Sequence, residues 1–213
     1  ISVEAEAMPH MSVQEGHTAG DPMRLFRMSF SREMGYEINV PARHGLHVWD
    51  ALTKVGEGLG LTLYGTEASH VLRGEKGYII VGLETDGTVI PDDVGLGKMA
   101  TMSKPDFLGM RSLMRPIAKE AGRKQLVALL PQDGRLIDEG AQIIDPANPR
   151  QSLGHVTSSY HSVALGQPFA LAMIRGGRAR IGSELEAVTG DASIRVKLCD
   201  PVLYDPDGSR INA

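Results

Sequence analysis

Leu25 to Pro41 reads LFRMSFSREMGYEINVP, and its pattern sets the architecture expected for the first half of the chain. Phe26, Met28 and Phe30 alternate with Arg27 and Ser29, and Tyr36, Ile38 and Val40 alternate with Glu37 and Asn39. A period of two, bounded by a glycine and a proline, predicts two strands around a tight connection, with Gly35 supplying the positive φ that a short reversal needs. Glu37 then sits inside a strand, with Glu33 in the turn before it. Two carboxylates beside an aromatic-rich hairpin make a candidate recognition site, although on pattern alone most strand glutamates are solvated.

Outward from the hairpin, residues 1 to 24 are a polar lead-in with Met8-Pro9 and Asp21-Pro22 as breakers. From Arg43 to Leu59, Leu46, Trp49, Leu52 and Val55 recur at helical spacing and predict an amphipathic helix ended by Gly56 to Gly60. Leu61 to Tyr64 and Tyr78 to Gly82 are short strand candidates. Between them a second helix is expected from Thr66 to Gly77, its apolar face being Ala68, Val71 and Leu72 with Glu75 continuing it. Leu83 to Gly97 is an acidic loop, and Asp106 to Leu113 is weakly helical. After Pro116 the runs LVALL, RLI, GHVTSSY, FALAMI, ELEAV and SIRVKL are separated by turns, the pattern of a compact antiparallel barrel or sandwich. The expected class is α+β: an incomplete α+β domain over residues 1–115, then a small antiparallel β-barrel domain over residues 116–213.

Composition narrows the function. With 213 residues, 42% of them hydrophobic, the chain can bury a substantial core. A net charge of −4 with no basic stripe gives no reason to expect nucleic acid. Cys199 alone excludes a disulfide framework and a multi-cysteine zinc site, which suits a reducing, cytoplasmic setting. No apolar run approaches the ~18 residues that span a bilayer, and no signal-peptide pattern opens the chain. The start at Ile1, followed by SVEAEAMPHMSV without a start signal, reads as part of a longer polypeptide.

Two motifs invite a reading. Gly95-Leu96-Gly97-Lys98-Met99-Ala100 fits G-x-G-x-x-A, but it follows an acidic, proline-containing loop where a dinucleotide site needs a strand. His44 and His47, three residues apart on a predicted helix, have no third ligand at matching spacing, so no metal site is assigned. No G-x-S-x-G elbow, Walker loop or Cys–His pairing is present.

F-S-x-E-x-G-Y-E-I resembles the Y-T-G-E-x-G-x-E-I segment of the aminomethyltransferase (glycine-cleavage T-protein) family. Other stretches are similar in the same order: LRGEKG to the family's L-R-L-E-A-G, PDFLGMRSL to D-F-I-G-R-E-A-L, and GHVTSSYHSVALGQPFALAMI to G-x-V-T-S-G-x-x-S-P-x-L-G-x-x-I-A-L-A. The forms EKGYIIVG and TDGTVIPDD resemble the C-terminal region of heterotetrameric sarcosine oxidase alpha subunits more than free T-proteins. Arg32 in place of a glycine, Lys98 in place of a tryptophan, and Val163-Ala164 in place of Pro-x depart from the pattern.

The resemblance implies an aminomethyltransferase-like fold that binds tetrahydrofolate. It puts Glu37 on the pterin edge, Phe30 and Tyr36 in the lining, Glu33 in support, and Arg73 and Glu75 in a structural place near the site, with an Arg73–Glu75 bridge as one option. It implies a part of sarcosine oxidase that takes the one-carbon unit of oxidised sarcosine to 5,10-methylenetetrahydrofolate. FAD or FMN and NAD are expected elsewhere in that complex, and its other subunits are the expected partners. The family's important aspartate is expected before Ile1, so no catalytic residue is assigned and the chain by itself is expected to be inactive. A T-protein, a dimethylglycine dehydrogenase-like enzyme and a non-catalytic assembly module of the same fold are the alternatives.

Overall fold

The computed structural model describes residues 1–4, 6–31, 33–101 and 104–212; Arg32, read above as a departure in the hairpin turn, lies outside them. Two compact units emerge, Ile1–Leu72 with Asp207–Ala213, and Arg73–Pro206.

The first unit opens on a three-stranded antiparallel sheet of β1 (Ser12–Thr18), β2 (Asp21–Arg27) and β3 (Glu37–Asn39), in that order. The lead-in is therefore not irregular. Ala19 and Gly20, both at positive φ (49° and 88°), close a two-residue hairpin between Thr18 and Asp21, as the twist of the strands favours. Strand β2 ends at Arg27, so Met28 to Tyr36 form a connection longer than the expected tight turn. Gly35 is not at positive φ. A Cβ there would lie 2.7 Å from the Met28 carbonyl oxygen, so close approach, rather than reversal, requires a glycine.

Helix α1 (Gly45–Gly56) follows a 3-10 turn over Ala42–His44. It buries Val48 and Gly56, while Leu46, Trp49, Leu52 and Val55 face outward, 43–73% exposed. Leu61 to Tyr64 does not form the expected strand. Leu61, Leu63 and Tyr64 are exposed and no strand pairs with them. Helix α2 (Thr66–Glu75) ends as expected at Gly77, which sits at φ 66°. The Gly77 N–H donates to the Gly74 carbonyl and Tyr78 N–H to that of Arg73, a Schellman closure.

In the second unit, Tyr78 to Gly82 contributes only one isolated bridge, Val81 to Thr85, so this expected strand is absent too. Short helices α3 (Gly97–Thr101) and α4 (Met110–Leu113) precede six strands: β4 (Lys124–Pro131), β5 (Gln142–Asp145), β6 (Asn148–Ser162), β7 (Gln167–Arg175), β8 (Glu184–Thr189) and β9 (Ala192–Cys199). They close into an antiparallel barrel in the order β4-β7-β6-β5-β8-β9. The RLI run is not one of them; it is a loop that buries Ile137, whereas QIID, unnoticed in sequence, supplies β5. The interior is filled by Val127, Leu129, Ile143, Val156, Ala170, Ile174, Val196 and Leu198. Leu126, Ala128, Leu171 and Met173 point to the outer side and are covered by Ile79, Val89, Val94 and Leu203. Burial on both faces explains why LVALL and FALAMI are continuous apolar runs without alternation.

Candidate functional site

The strand pairing fixes where the candidate carboxylate lies. Glu37 pairs with Phe26, Ile38 with Leu25 and Asn39 with Arg24. Side chains alternate across a sheet, so Arg24, Phe26, Glu37 and Asn39 share one face with Val13 and Glu15, while Leu25, Arg27 and Ile38 share the other. The packed face is the second. Leu25 is 5% and Arg27 1% exposed, whereas Glu37 lies on the open face and is exposed rather than held inward. A cleft of about 660 Å³ is lined by Glu15, Arg24 and Asn39 from that open face, together with His17, Met23 and Pro41. Glu37 stands one pleat from Asn39 at its side.

Around Glu37 the other expected residues are already engaged. Glu33 accepts the Arg210 Nε–H on both carboxylate oxygens, at 2.9 and 2.8 Å. Tyr36 donates its hydroxyl to the Val3 carbonyl at 2.8 Å, and the Arg27 guanidinium lies 4.9 Å from its ring centroid. Phe30 is 44% exposed in the connection. The Glu37 side chain has no hydrogen bond or ion pair among the described residues.

Arg73 and Glu75 do not bridge. Arg73 is fully buried and pairs with Glu84 at 3.0 Å, with further bonds from its Nη atoms to the Tyr78 carbonyl, Ser158 Oγ and Tyr160 OH. Glu84 completes its shell with the Ile80 N–H, Thr157 and Ser158. Glu75, 3% exposed, accepts from Ser162 Oγ at 2.6 Å. Positions two apart on an ideal helix point in different directions, so each residue finds its own partner.

Spacing also concealed a cluster. Asp21 forms a hydrogen bond with His47 Nδ1 on one oxygen at 2.7 Å, and its other oxygen lies 2.9 Å from His44 Nδ1. A carboxylate offers only acceptors, so in this contact the His47 ring donates from Nδ1. No cluster of three His, Cys, Asp or Glu is placed to hold a metal ion among the described residues. The G-x-G-x-x-A stretch is preceded by a 3-10 turn, Pro91–Val94, and opens the five-residue helix α3, with no strand before it.

The residues matched by two family models complete the picture: the GCVT N-terminal domain over residues 1–104 and the glycine cleavage T-protein C-terminal barrel domain over residues 124–205. The chain belongs to the glycine cleavage T-protein family. It is 42% identical to the sarcosine oxidase subunit alpha of Corynebacterium sp. (strain P-1) over 99% of its own length and 22% of the relative's. The corresponding subunit of Rhizobium meliloti (strain 1021) is 38% identical over 97% of this chain and 22% of that one. The aminomethyltransferase of Streptomyces coelicolor is 32% identical over 79% of this chain and 45% of its own length. The chain thus spans about a fifth of the alpha subunits and about half of that T-protein relative. The crystal structure of the aminomethyltransferase T of the Bartonella henselae glycine cleavage system superposes with a TM-score of 0.76 at 21% identity, covering 94% of this chain and 54% of that one, which shows the shared fold. No helix is long and apolar enough to cross a membrane among the described residues.

Proposed function

We propose that this chain is the tetrahydrofolate-binding part of a sarcosine oxidase alpha subunit, with its domain boundary at 115/116, working in the cytoplasm with the other subunits of a hetero-oligomer. The observation that carries the reading is Glu37: an acceptor-only carboxylate without a partner among the described residues, on an open sheet face directly opposite Phe26. A reduced pterin presents N3–H and a 2-amino group side by side, and one carboxylate accepts both in a charge-assisted, orienting pair. Phe26, Phe30 and the ring of Tyr36 supply aromatic surface nearby in sequence, and Arg24 and Asn39 add polar groups on the cleft side of the same face.

Tetrahydrofolate, when bound, supplies the nitrogen nucleophiles that take up the one-carbon unit of oxidised sarcosine as 5,10-methylenetetrahydrofolate. In this chain Glu37 orients and Glu33 holds the connection in shape; no residue here is assigned to proton transfer. FAD or FMN and NAD act elsewhere in the complex. Support for a place within a larger assembly comes from the outward apolar row of α1, because a monomeric surface seldom keeps so many large apolar side chains together.

Calorimetric titration of the intact protein with tetrahydrofolate tests the reading. Glu37→Gln keeps the shape and removes the charge, and is expected to weaken binding by about tenfold or more, the value of a charge-assisted pair. Unchanged affinity in Glu37→Gln rejects the site.

A further inference from the structure

We propose that Arg210 and Arg27 are positioning residues that tie the segment Ser209–Asn212 to the connection carrying Phe30, Glu33 and Tyr36, and thereby set the shape of the folate-binding face; this rests on the functional reading above. The described residues of the connection from Met28 to Tyr36 form no helix or strand of their own. Two arginines fasten it to residues far along the chain. Arg210 grips both oxygens of Glu33, 177 residues away in sequence. Arg27, at the end of β2, donates Nη2–H to the Ile211 carbonyl at 2.9 Å, 184 residues away, and lies against the Tyr36 ring. Both anchors meet one 3-10 turn, Ser209–Asn212.

Arg27 is an unusual choice for stability alone. It is 1% exposed, its Nε is buried without a hydrogen-bond partner, and no carboxylate is within ion-pair distance of it among the described residues. A buried cation satisfied by one carbonyl and one ring face carries a desolvation penalty that an apolar side chain would avoid. What it supplies is geometry: a flat fork that fixes Tyr36 on one side and the 209–212 turn on the other. Arg210 is the adjustable half of the device, since its side chain is 52% and that of Glu33 33% exposed. A screened surface pair of this kind shifts an equilibrium by about two- to fivefold.

The test uses the intact protein and two readouts, hydrogen–deuterium exchange over residues 28–36 and calorimetric affinity for tetrahydrofolate. Arg210→Gln and Glu33→Gln should each speed exchange in the connection and weaken folate binding about two- to fivefold. The double variant should be no worse than either single one, and the charge exchange Glu33→Arg with Arg210→Glu should restore both readouts. Arg27→Lys, which keeps the charge and loses the fork, should loosen the connection and the 209–212 turn together while residues 124–199 keep their protection. Unchanged exchange in Arg210→Gln overturns the tether, whatever folate does. Faster exchange with unchanged affinity, in a protein that Glu37→Gln impairs, overturns the positioning role and leaves the folate reading standing. A parent protein that binds no tetrahydrofolate overturns the functional reading and the positioning role with it, and exchange then reports only whether the tether exists.

Discussion

Arg73 and Glu84 form an ion pair at 3.0 Å with both side chains wholly removed from solvent. The pair is sealed by Ser158 and Tyr160 on the arginine and by Thr157 and the Ile80 N–H on the glutamate. It clamps the segment after α2 onto β6, where sheet pairing alone would not reach. Glu84→Gln leaves a buried guanidinium uncompensated and should cost about 3–5 kcal/mol, read as a lower urea midpoint. Arg73→Met combined with Glu84→Gln should cost less than the sum of the two single changes, because the second removes a charge already stranded.

Gly154 on β6 tolerates no side chain. A Cβ there would lie 1.9 Å from the Met173 carbonyl oxygen on β7, a backbone atom that cannot rotate away. Gly154→Ala should cost about 3 kcal/mol or more and open the β6–β7 seam. Gly45, at φ −55° with nothing near its missing Cβ, is the contrast: Gly45→Ala should raise stability by about 0.5–1 kcal/mol. Denaturant midpoints of the two variants should move in opposite directions.

His155 gives the barrel a pH dependence. Partial burial, reinforced by Lys124 and opposed by Asp86, holds its imidazole below the ordinary value of 6.5. The unfolded chain therefore binds the proton more readily than the folded one. The stability tied to the neutral ring is full above pH 6.5 and falls as the pH drops through the folded value. Urea midpoints of the parent protein should decline more steeply below that pH than those of His155→Gln. Proton NMR should show the ring titrating below an unperturbed histidine.

Trp49 is the only tryptophan and is 52% exposed on the outward row of α1. Emission from this chain should be red-shifted and readily quenched by acrylamide. Leu46→Glu or Val55→Glu should change stability by no more than about 0.5 kcal/mol. Val48, 4% exposed on the opposite side, should cost on the order of 2 kcal/mol when cut to alanine. Quenching in a larger assembly should weaken if that row is covered there.

The amino-acid pattern alone determined the family, the α+β character of the first part, the antiparallel barrel that follows it, and the ends of α2, because each is written in local signals: ordered motifs, alternation, apolar runs and a glycine after a helix. It also marked Glu37, Arg73 and Glu75 as residues worth following. Tertiary structure alone decided which face each would occupy and whom each would meet. Periodicity says that two residues share a face, not which face is packed, so the apolar row on α1 turns outward where an amphipathic helix was expected to bury it, and pairing with β2 puts Glu37 on the open face of the sheet. Partners such as Glu84 for Arg73, Asp21 for His44 and His47, and Arg210 for Glu33 are set by chain segments folding back over long separations. Short apolar runs such as Leu61 to Tyr64 failed as strands for the same reason: a strand exists only where a neighbour accepts its hydrogen bonds, and that neighbour is never written beside it.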